Sequence, residues 1–450
     1  MAEQAGEQQG QLFEEHATEV ERRPRAGRRR LRQPVRDQVE WRPLSLDQLI
    51  PEDHVVRAVW TWVCALDLSE LYEAIQAVEG GAGRSANDPQ ILFCLWLYGT
   101  IKGVSSAHQL NDLCRDHRVY QWICGGVSMN YHTLSDFRTA HEALLDRELT
   151  CSMAALMGVG VVELERVTQD GLKVRVSAGA ASFHRRGTVE RTLAAAQEHL
   201  TAVKSLAEGD PAAGSRRQRA ARERAAREKV ERLAAALAEF PALEEKYQEK
   251  VKEAEQQGKK APAEPRVSTT DPDARVMQVP GGGYRPAINL QIASDVGSLA
   301  VVGVVASQQS NDMGLLPPMM RQVGERGGAL PGAALADSGY AKKADIEAVT
   351  AMGIVPYIPV QKPKDEGRNP YQPRPGDSPP LGDWRTRMGT PEAKAIYKER
   401  AATAECVNAQ ARNRGLQQLN VRGLAKLQTA ATWYMLAQNV SRMIALGWLR

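Results

Sequence analysis

The residues with the clearest chemical potential lie near the end of the chain, between Tyr397 and Arg412. Read as a helix, this stretch sets Tyr397, Arg400, Glu405 and Arg412 on roughly two adjoining faces. A glutamate offers a metal ion a hard oxygen ligand, whereas arginine and tyrosine donate hydrogen bonds to phosphate. The stretch therefore suits a site that holds a metal and grips phosphate oxygens. A solvated amphipathic helix with paired charges is the alternative interpretation.

Two further acids follow apolar runs upstream of this stretch. Asp170 interrupts the alternating segment Val167–Val176, and Asp337 follows the apolar run Ala333–Ala336. An acid at the end or bend of an apolar strand must be solvated, paired or bound to metal, because burying a bare carboxylate is costly. For Asp170, an Asp-Gly β-turn is the alternative. Two carboxylates at strand ends and a third on a helix can hold two divalent cations, and hard oxygen ligands select Mg²⁺ or Mn²⁺.

The composition is that of a soluble globular protein with two or three domains. Of the 450 residues, 43% are hydrophobic and 25% charged, and the net charge of +4 alone does not argue for a nucleic acid partner. The six cysteines form no CxxC pair, which argues against a structural zinc and predicts free thiols in a reducing cytosol. No apolar run reaches the roughly 18 residues that span a bilayer, so we expect no membrane partner.

The basic residues are concentrated near the N-terminus. Residues 1–43 are predicted to be a disordered tail with a basic arm between Arg22 and Arg32, whose candidate DNA-binding residues are Arg25, Arg28, Arg29 and Arg30. Such an arm can neutralise phosphates or lie in a minor groove. A disordered solubilising tail is the alternative.

Residues 44–158 have a helical pattern throughout. The closely spaced short helices permit a helix-turn-helix interpretation, and we predict an all-helical DNA-binding domain. His132 and Arg138 are its candidate DNA-facing residues, although His132 could equally cap or pack a helix.

Strand patterns begin after residue 158, and residues 159–450 are predicted to form the second domain. The alternating run Ala287–Asp295 pairs naturally with Leu299–Val305 as a hairpin of strands. Heptad-spaced apolar residues within 189–258 predict a helical hairpin insertion with an Arg-rich stem, suited to DNA or a partner subunit. A solvated charge stripe is the alternative there.

In their order and spacing, these segments resemble the DDE transposases of bacterial insertion sequences, in the broad IS4/IS5 group and closest to the IS1182 type. The resemblance runs from about Leu44 to Met443. It rests on Leu49–His54, Asp88-Pro89, Leu97–Gly99, Cys114–Asp116, His132–Arg138, Asp170–Lys173, Thr270–Asp273, Asn289–Gln291, Ala336–Tyr340, Tyr397–Arg412, Arg422–Lys426 and Ala437–Arg442.

The resemblance implies an α/β fold with an RNase H-like catalytic core, a mixed sheet flanked by helices. It implies Asp170, Asp337 and Glu405 as catalytic ligands of two Mg²⁺ ions, with Mn²⁺ as a substitute. Tyr397, Arg400, Arg412 and Lys173 would contact the DNA.

Three positions depart from the family pattern. Arg412 stands where a lysine is usual, Val407–Ala409 replaces an aromatic residue and a glycine, and Leu172 replaces a common threonine. None of these changes removes an acid.

We therefore predict a bacterial, cytoplasmic and nucleoid-associated DNA transposase that binds its element's terminal inverted repeats. It would cut and transfer strands as at least a dimer, because two ends must be cut together. The alternatives are a catalytically inactive, transposase-derived DNA-binding protein and a coiled-coil interaction protein built around residues 189–258.

Overall fold

The computed structural model describes residue 39 and residues 43–80, 85–209, 216–361 and 369–449. Residues Ser45–Arg450 form one compact unit, which contains every helix and strand of the described residues. The predicted DNA-binding residues Arg25, Arg28, Arg29 and Arg30 lie outside the described residues.

The N-terminal part of the described unit is helical. Its helices are α1 (Val55–Cys64), α2 (Ser69–Glu73), α3 (Pro89–Ile101), α4 (Ala107–Asp116), α5 (Arg118–Cys124), α6 (Tyr131–Ala140) and α7 (Glu142–Gly158). The Asp88 carboxylate accepts from the Gln90 amide and Pro89 follows it, so α3 starts where the sequence predicts. Helix α3 is apolar on all sides and buried over most of its length, which makes it the centre of this helical layer.

The rest of the chain is built on a mixed sheet. Its strands are β1 (Arg166–Val176), β4 (Arg275–Gln278), β5 (Tyr284–Asp295), β6 (Val301–Ser307), β7 (Ala333–Leu335), β8 (Val355–Tyr357) and β9 (Gln418–Leu419), whereas β2 (Phe183–His184) and β3 (Val267–Ser268) pair separately. Strands β6, β5 and β1 are antiparallel neighbours. Strands β7 and β8 continue the sheet parallel to β1. Short β4 extends the β5 edge, and β9 extends the β1 edge.

Helices cover the sheet and fill the long interval between β2 and β3. They are α8 (Arg186–Gly209), α9 (Arg216–Ala238), α10 (Phe240–Gln256), α11 (Leu316–Gly327), α12 (Lys343–Ala351), α13 (Pro379–Gly389), α14 (Pro391–Arg400), α15 (Cys406–Asn413) and α16 (Leu424–Ala445). The first three occupy the predicted insertion, where Val189, Ala196, Leu233 and Phe240 form a separate small core.

A single hydrophobic core joins the helical layer to the sheet. Trp433 of α16 is buried against Phe93 of α3, with ring centroids 4.8 Å apart, and its indole N–H donates to the Arg138 carbonyl at 3.0 Å. The domain boundary predicted near residue 158 is therefore crossed by continuous packing in this unit. Within the described ranges, no helix is long and apolar enough to cross a membrane.

Candidate catalytic site

Asp170 lies in the middle of β1, not at the strand end or bend that the sequence predicts. It stands opposite Ile292, and Gly171 stands opposite Gln291, so the Asp-Gly pair continues the antiparallel ladder instead of turning. The apolar-polar alternation of the segment predicts the strand correctly, and the strand continues through the Asp-Gly pair.

The register of the parallel strands brings Asp337 next to Asp170. Strand β7 pairs with β1 up to Leu335 opposite Thr168. Asp170 and Asp337 are each two residues beyond this pair, so they lie side by side. The Asp337 carboxylate caps a short 3₁₀ turn by accepting from the Gly339 amide at 2.7 Å, and its side chain is 41% exposed.

Arg400 bridges the two carboxylates. Its Nη2 lies 3.0 Å from Asp170 Oδ1 and 3.8 Å from Asp337 Oδ2, and its side chain is only 11% exposed. The guanidinium thus offsets the repulsion between two adjacent negative charges in a partly buried site.

Asn408 holds the other oxygen of Asp170, with its Nδ2 2.8 Å from Oδ2. Sequence reasoning missed this residue, which it noted only as part of Val407–Ala409, a departure from the family pattern. The available signal was a polar amide three residues after Glu405, a spacing that places two side chains on one side of a helix. The two oxygens of Asp170 are therefore oriented by two residues of the same terminal stretch.

A π-helical segment, Ala401–Glu405, lies between Arg400 and Asn408. Arg400 and Asn408 are eight residues apart, so in an unbroken α-helix their side chains would point about 80° apart, because each residue turns the helix by about 100°. A π segment absorbs one extra residue, so the angle between the two side chains falls to about 20°. The segment therefore allows both side chains to reach the same aspartate.

Glu405 ends the π segment and is exposed. By the same rotation it points within about 60° of both Arg400 and Asn408, so it lies on the side of the helix that faces Asp170. No hydrogen bond or ion pair joins its carboxylate to the described residues. In the described part of the chain, no three acidic, histidine or cysteine side chains are close enough to hold a metal ion as they stand.

Asp312 is a further acid in this site that sequence reasoning did not assign. Its Oδ1 accepts from Asn289 Nδ2 at 2.7 Å, Gln291 Nε2 at 2.8 Å and Lys173 Nζ at 3.4 Å. Asn289 and Gln291 stand directly opposite Lys173 and Gly171 in the β1–β5 ladder. A polar pair at i and i+2 on one strand was the available signal, because such residues share a face.

Gly171 is needed for this arrangement. A Cβ built on it would lie 2.5 Å from Asp312 Oδ1 and 2.8 Å from both the Asn289 and Gln291 side chains. The bare backbone at Gly171 lets the Asp312 cluster approach β1 directly beside Asp170.

The titration of Asp170 reflects these surroundings. Burial raises the pKa of its carboxyl, Arg400 opposes that rise, and the negative charges of Asp337 and Asp312 add to it. Burial likewise lowers the pKa of Lys173, against the effect of Asp312. Burial is also the main reason that the pKa of the half-buried Tyr397 is raised, since the nearby Arg400 acts in the other direction. The site is thus a crowded cluster of acids with few compensating cations.

Among the other predicted DNA-contacting residues in the described ranges, Lys173 reaches this cluster through Asp312, whereas Arg412 and His132 lie outside it. Lys173 and Arg412 line a groove beside it, and His132 is exposed on α6, where its ring contacts Tyr131. Arg138 is a correction: it is 6% exposed, packs over the Trp96 ring at 4.8 Å and donates to the Ser105 carbonyl. The side chain points into the core of the helical layer, so the guanidinium stabilises packing and does not face DNA.

Two segments of the chain match known protein families. Residues 266–440 match the family described as "Transposase DDE domain", and residues 44–140 match "Transposase domain (DUF772)". Asp337 and Glu405 fall within the first match, whereas Asp170 and the helices of 189–258 fall between the two. No curated protein and no solved structure gives a significant match.

Proposed function

Because the chain belongs to the DDE transposases of insertion sequences, we propose that it cuts the ends of its own element and transfers them to target DNA. The observation that carries this proposal is the parallel register that sets Asp170 beside Asp337 under the shared guanidinium of Arg400. A pair of adjacent, partly solvent-open carboxylates is an arrangement suited to phosphodiester chemistry.

We infer an RNase H-like core of the IS1182 type. The strand order supports this: three antiparallel strands, β6, β5 and β1, are followed by β7 and β8 parallel to β1. The two aspartates then lie on the central strand and just after its parallel neighbour. The helices between β2 and β3 form an insertion into this core in the proposal.

The donor set fits a hard divalent cation. Asp170 and Asp337 offer only carboxylate oxygens, and their mutual repulsion, added to that of Asp312, favours a cation among them. DDE transposases are metal-dependent, usually with Mg²⁺. We assign Asp170, Asp337 and Glu405 to hold two Mg²⁺ ions, with Mn²⁺ as a substitute. When bound, such ions activate a water or a 3′-hydroxyl and stabilise the leaving oxygen.

The chain's own cations would position the DNA. The Nε atoms of Arg400 and Arg412 are buried and have no acceptor among the described residues, so each guanidinium retains a donor for a phosphate oxygen. Tyr397 lies beside Arg400 and can add a hydroxyl donor. Lys173 is held by Asp312 near the same strand.

Recognition of the terminal inverted repeats is assigned to the helical layer and the N-terminal basic arm. His132 is exposed and remains a candidate contact, whereas Arg138 does not. We propose that two copies form the synaptic complex, because both ends must be cut together. We place this complex at the bacterial nucleoid, in the cytoplasm.

The experiment is strand cleavage of a DNA that carries the element ends, which we expect to be inverted repeats on either side of the gene. We expect cleavage with Mg²⁺, none with a chelator, and loss of cleavage in Asp337→Ala with end binding retained. Full activity of Asp337→Ala would overturn the assignment. Binding without any cleavage by the unaltered protein, in Mg²⁺ and in Mn²⁺, would identify an inactive DNA-binding protein instead.

A further inference from the structure

An open groove of about 370 Å³ lies beside the acid cluster, and we call it the basic groove. Strand β1, the turn between β4 and β5, and the end of α15 enclose it. Four cationic side chains line it: Lys173, Arg175, Arg285 and Arg412. No acidic residue is among its lining residues, all of which belong to the described part of the chain.

Three of these cations have no acidic partner among the described residues. Arg175 and Arg285 are exposed, and Arg412 is half-buried. Within the described ranges, none of the three forms an ion pair, and the buried Nε of Arg412 has no acceptor at all. Surface arginines elsewhere in the fold, such as Arg186 and Arg227, are paired with glutamates. The groove therefore carries an uncompensated positive charge.

The end of α15 joins Asp170 to the basic groove. Arg412 lines the groove and follows Asn408, which contacts Asp170, by four residues, so the two lie on the same side of α15. Lys173 and Arg175 point to the face of the sheet opposite to Asp170, because side chains alternate along β1. Lys173 is linked to the acids through Asp312, whose negative charge acts on Asp170. A DNA strand bound at Asp170 would therefore enter the groove past Arg412 and Lys173.

The spacing of the cations exceeds the size of one phosphate. Residues Lys173 and Arg175 are about 7 Å apart along an extended strand. Arg285 lies two residues from Ala287, the cross-strand partner of Arg175, which makes the two arginines diagonal neighbours about 7–8 Å apart. The cations thus form a row and do not converge on one point, as expected of a site that binds a polyanion.

One rim of the groove is bare backbone. Gly281, Gly282 and Gly283 have φ values of 90°, 92° and 80°, in the left-handed region that favours glycine. No atom lies within 4 Å of a Cβ built on any of the three. Their conformation requires glycine, and the absence of side chains leaves this rim open to close approach by a strand of phosphates.

We propose that the basic groove binds consecutive phosphates of the element-end strand that continues from the bond being cut. The inference rests on the proposed function, since it places the reacting phosphate at Asp170 and Asp337. Arg175 and Arg285 are the residues that it adds to the substrate site. Both side chains are exposed and have no charge partner in the described part of the chain, so we expect the fold to persist without them.

The first test measures binding of end DNA to the full-length protein in a chelator, as a function of salt concentration. We expect Arg175→Ala/Arg285→Ala to weaken binding and to reduce the slope of log K against log salt by about 1–2, since each phosphate contact contributes about 0.9. The control pair Arg266→Ala/Arg321→Ala removes the same charge from exposed positions outside the groove. We expect its slope to match that of the unaltered protein. Equal slopes for all three proteins would overturn the proposal.

The second test separates the element end from target DNA. We expect the groove variant to slow cleavage of end DNA at low DNA concentration and to recover at saturating DNA, which is a change in KM more than in kcat. Normal end cleavage with loss of strand transfer from pre-cut ends would assign the groove to target DNA and refute the proposal. If the unaltered protein binds but never cleaves, the proposed function fails, and the salt slopes still show whether the groove contacts DNA phosphates.

Discussion

Asp170 is the residue that the other side chains of the site surround. Arg400 holds one of its oxygens, Asn408 holds the other, and Asp337 lies beside it in the strand register. Burial and two neighbouring acids nevertheless raise its pKa, so the folded protein favours the neutral carboxyl more than an exposed aspartate would. The ionised carboxylate that metal binding requires therefore lowers the free energy of unfolding.

Asp170→Asn is expected to abolish cleavage without lowering stability at neutral pH. Between the ordinary aspartate pKa and the raised pKa, the folded protein holds a proton that the unfolded chain releases, so the stability of the unaltered protein falls as pH rises. Asparagine does not titrate. We expect its Tm at pH 7 to equal or exceed that of the unaltered protein, with the difference vanishing below about pH 4. A clear drop in Tm at pH 7 would show that the Asp170 charge stabilises the fold.

Gly171→Ala is expected to disrupt the Asp312 cluster. The added methyl would lie 2.5 Å from Asp312 Oδ1, so the cluster or the strand must shift. Overpacking of this kind costs about 1–3 kcal/mol of unfolding free energy. A displacement of about 1 Å beside the reacting groups can lower the cleavage rate about 100-fold. Thermal melting and cleavage assays measure the two effects.

Gly179→Ala is the matched control, because Gly179 is exposed and a Cβ there meets no atom within 4 Å. We expect it to melt and to cleave normally. Equal behaviour of the two alanine variants would contradict the role given to Gly171.

At the scale of elements, the terminal helical stretch matters because its middle is a π segment. Ala401–Glu405 brings Arg400 and Asn408 to one side of the helix and turns Glu405 toward the same region. π segments are rare irregularities within α-helices and are frequent at functional sites.

Insertion of one alanine after Ala402 is expected to remove activity. The π segment already absorbs one extra residue, so a second one would rotate Glu405 and Asn408 by about 100° relative to Arg400, and Asp170 would lose one of its two partners. Ala402 is exposed, so the helix itself should persist. We expect at least about a 100-fold loss of end cleavage with normal helix content by circular dichroism. Ala402→Ser keeps the length and should cleave normally, and an active insertion variant would contradict this role of the π segment.

Local patterns predicted many elements but not how they converge. The alternation of Ala287–Asp295 predicted the pairing of β5 with β6, and Asp88-Pro89 marked the start of α3. In contrast, the approach of Asp170 to Asp337 depends on the register between β1 and β7, which are far apart in sequence. The roles of Asn408 and Asp312 depend on similar long-range contacts. The π segment has no local signal, because its residues are ordinary helix formers.

At the scale of the whole molecule, the helical layer and the sheet share one core. Trp433 is 1% exposed, and it contacts Phe93 and the Arg138 carbonyl in the helical layer. Burial of Arg138 belongs to the same interface, since its guanidinium lies close to Tyr434 of α16. The two parts therefore depend on each other for stability.

Trp433→Ala is expected to destabilise the whole described unit by about 3–5 kcal/mol, as is usual for a buried aromatic residue. Because the core is continuous, calorimetry should show one unfolding transition that moves to lower temperature as a whole. Trp448→Ala, at a position 54% exposed, is the control and should leave the transition unchanged. Two transitions, with only one shifted by Trp433→Ala, would show that the parts fold independently.

We propose that Asp170, Asp337 and Glu405 together cut DNA, and Glu405 is the member whose carboxylate forms no hydrogen bond or ion pair with the described residues. The most direct measurement is end cleavage in Mg²⁺ by Glu405→Gln and Asp337→Asn, with end binding measured in parallel. We expect both variants to bind the ends as the unaltered protein does and to cleave them at rates at least about 100-fold lower. Cleavage by Glu405→Gln at the unaltered rate would rule out Glu405 as the third catalytic acid.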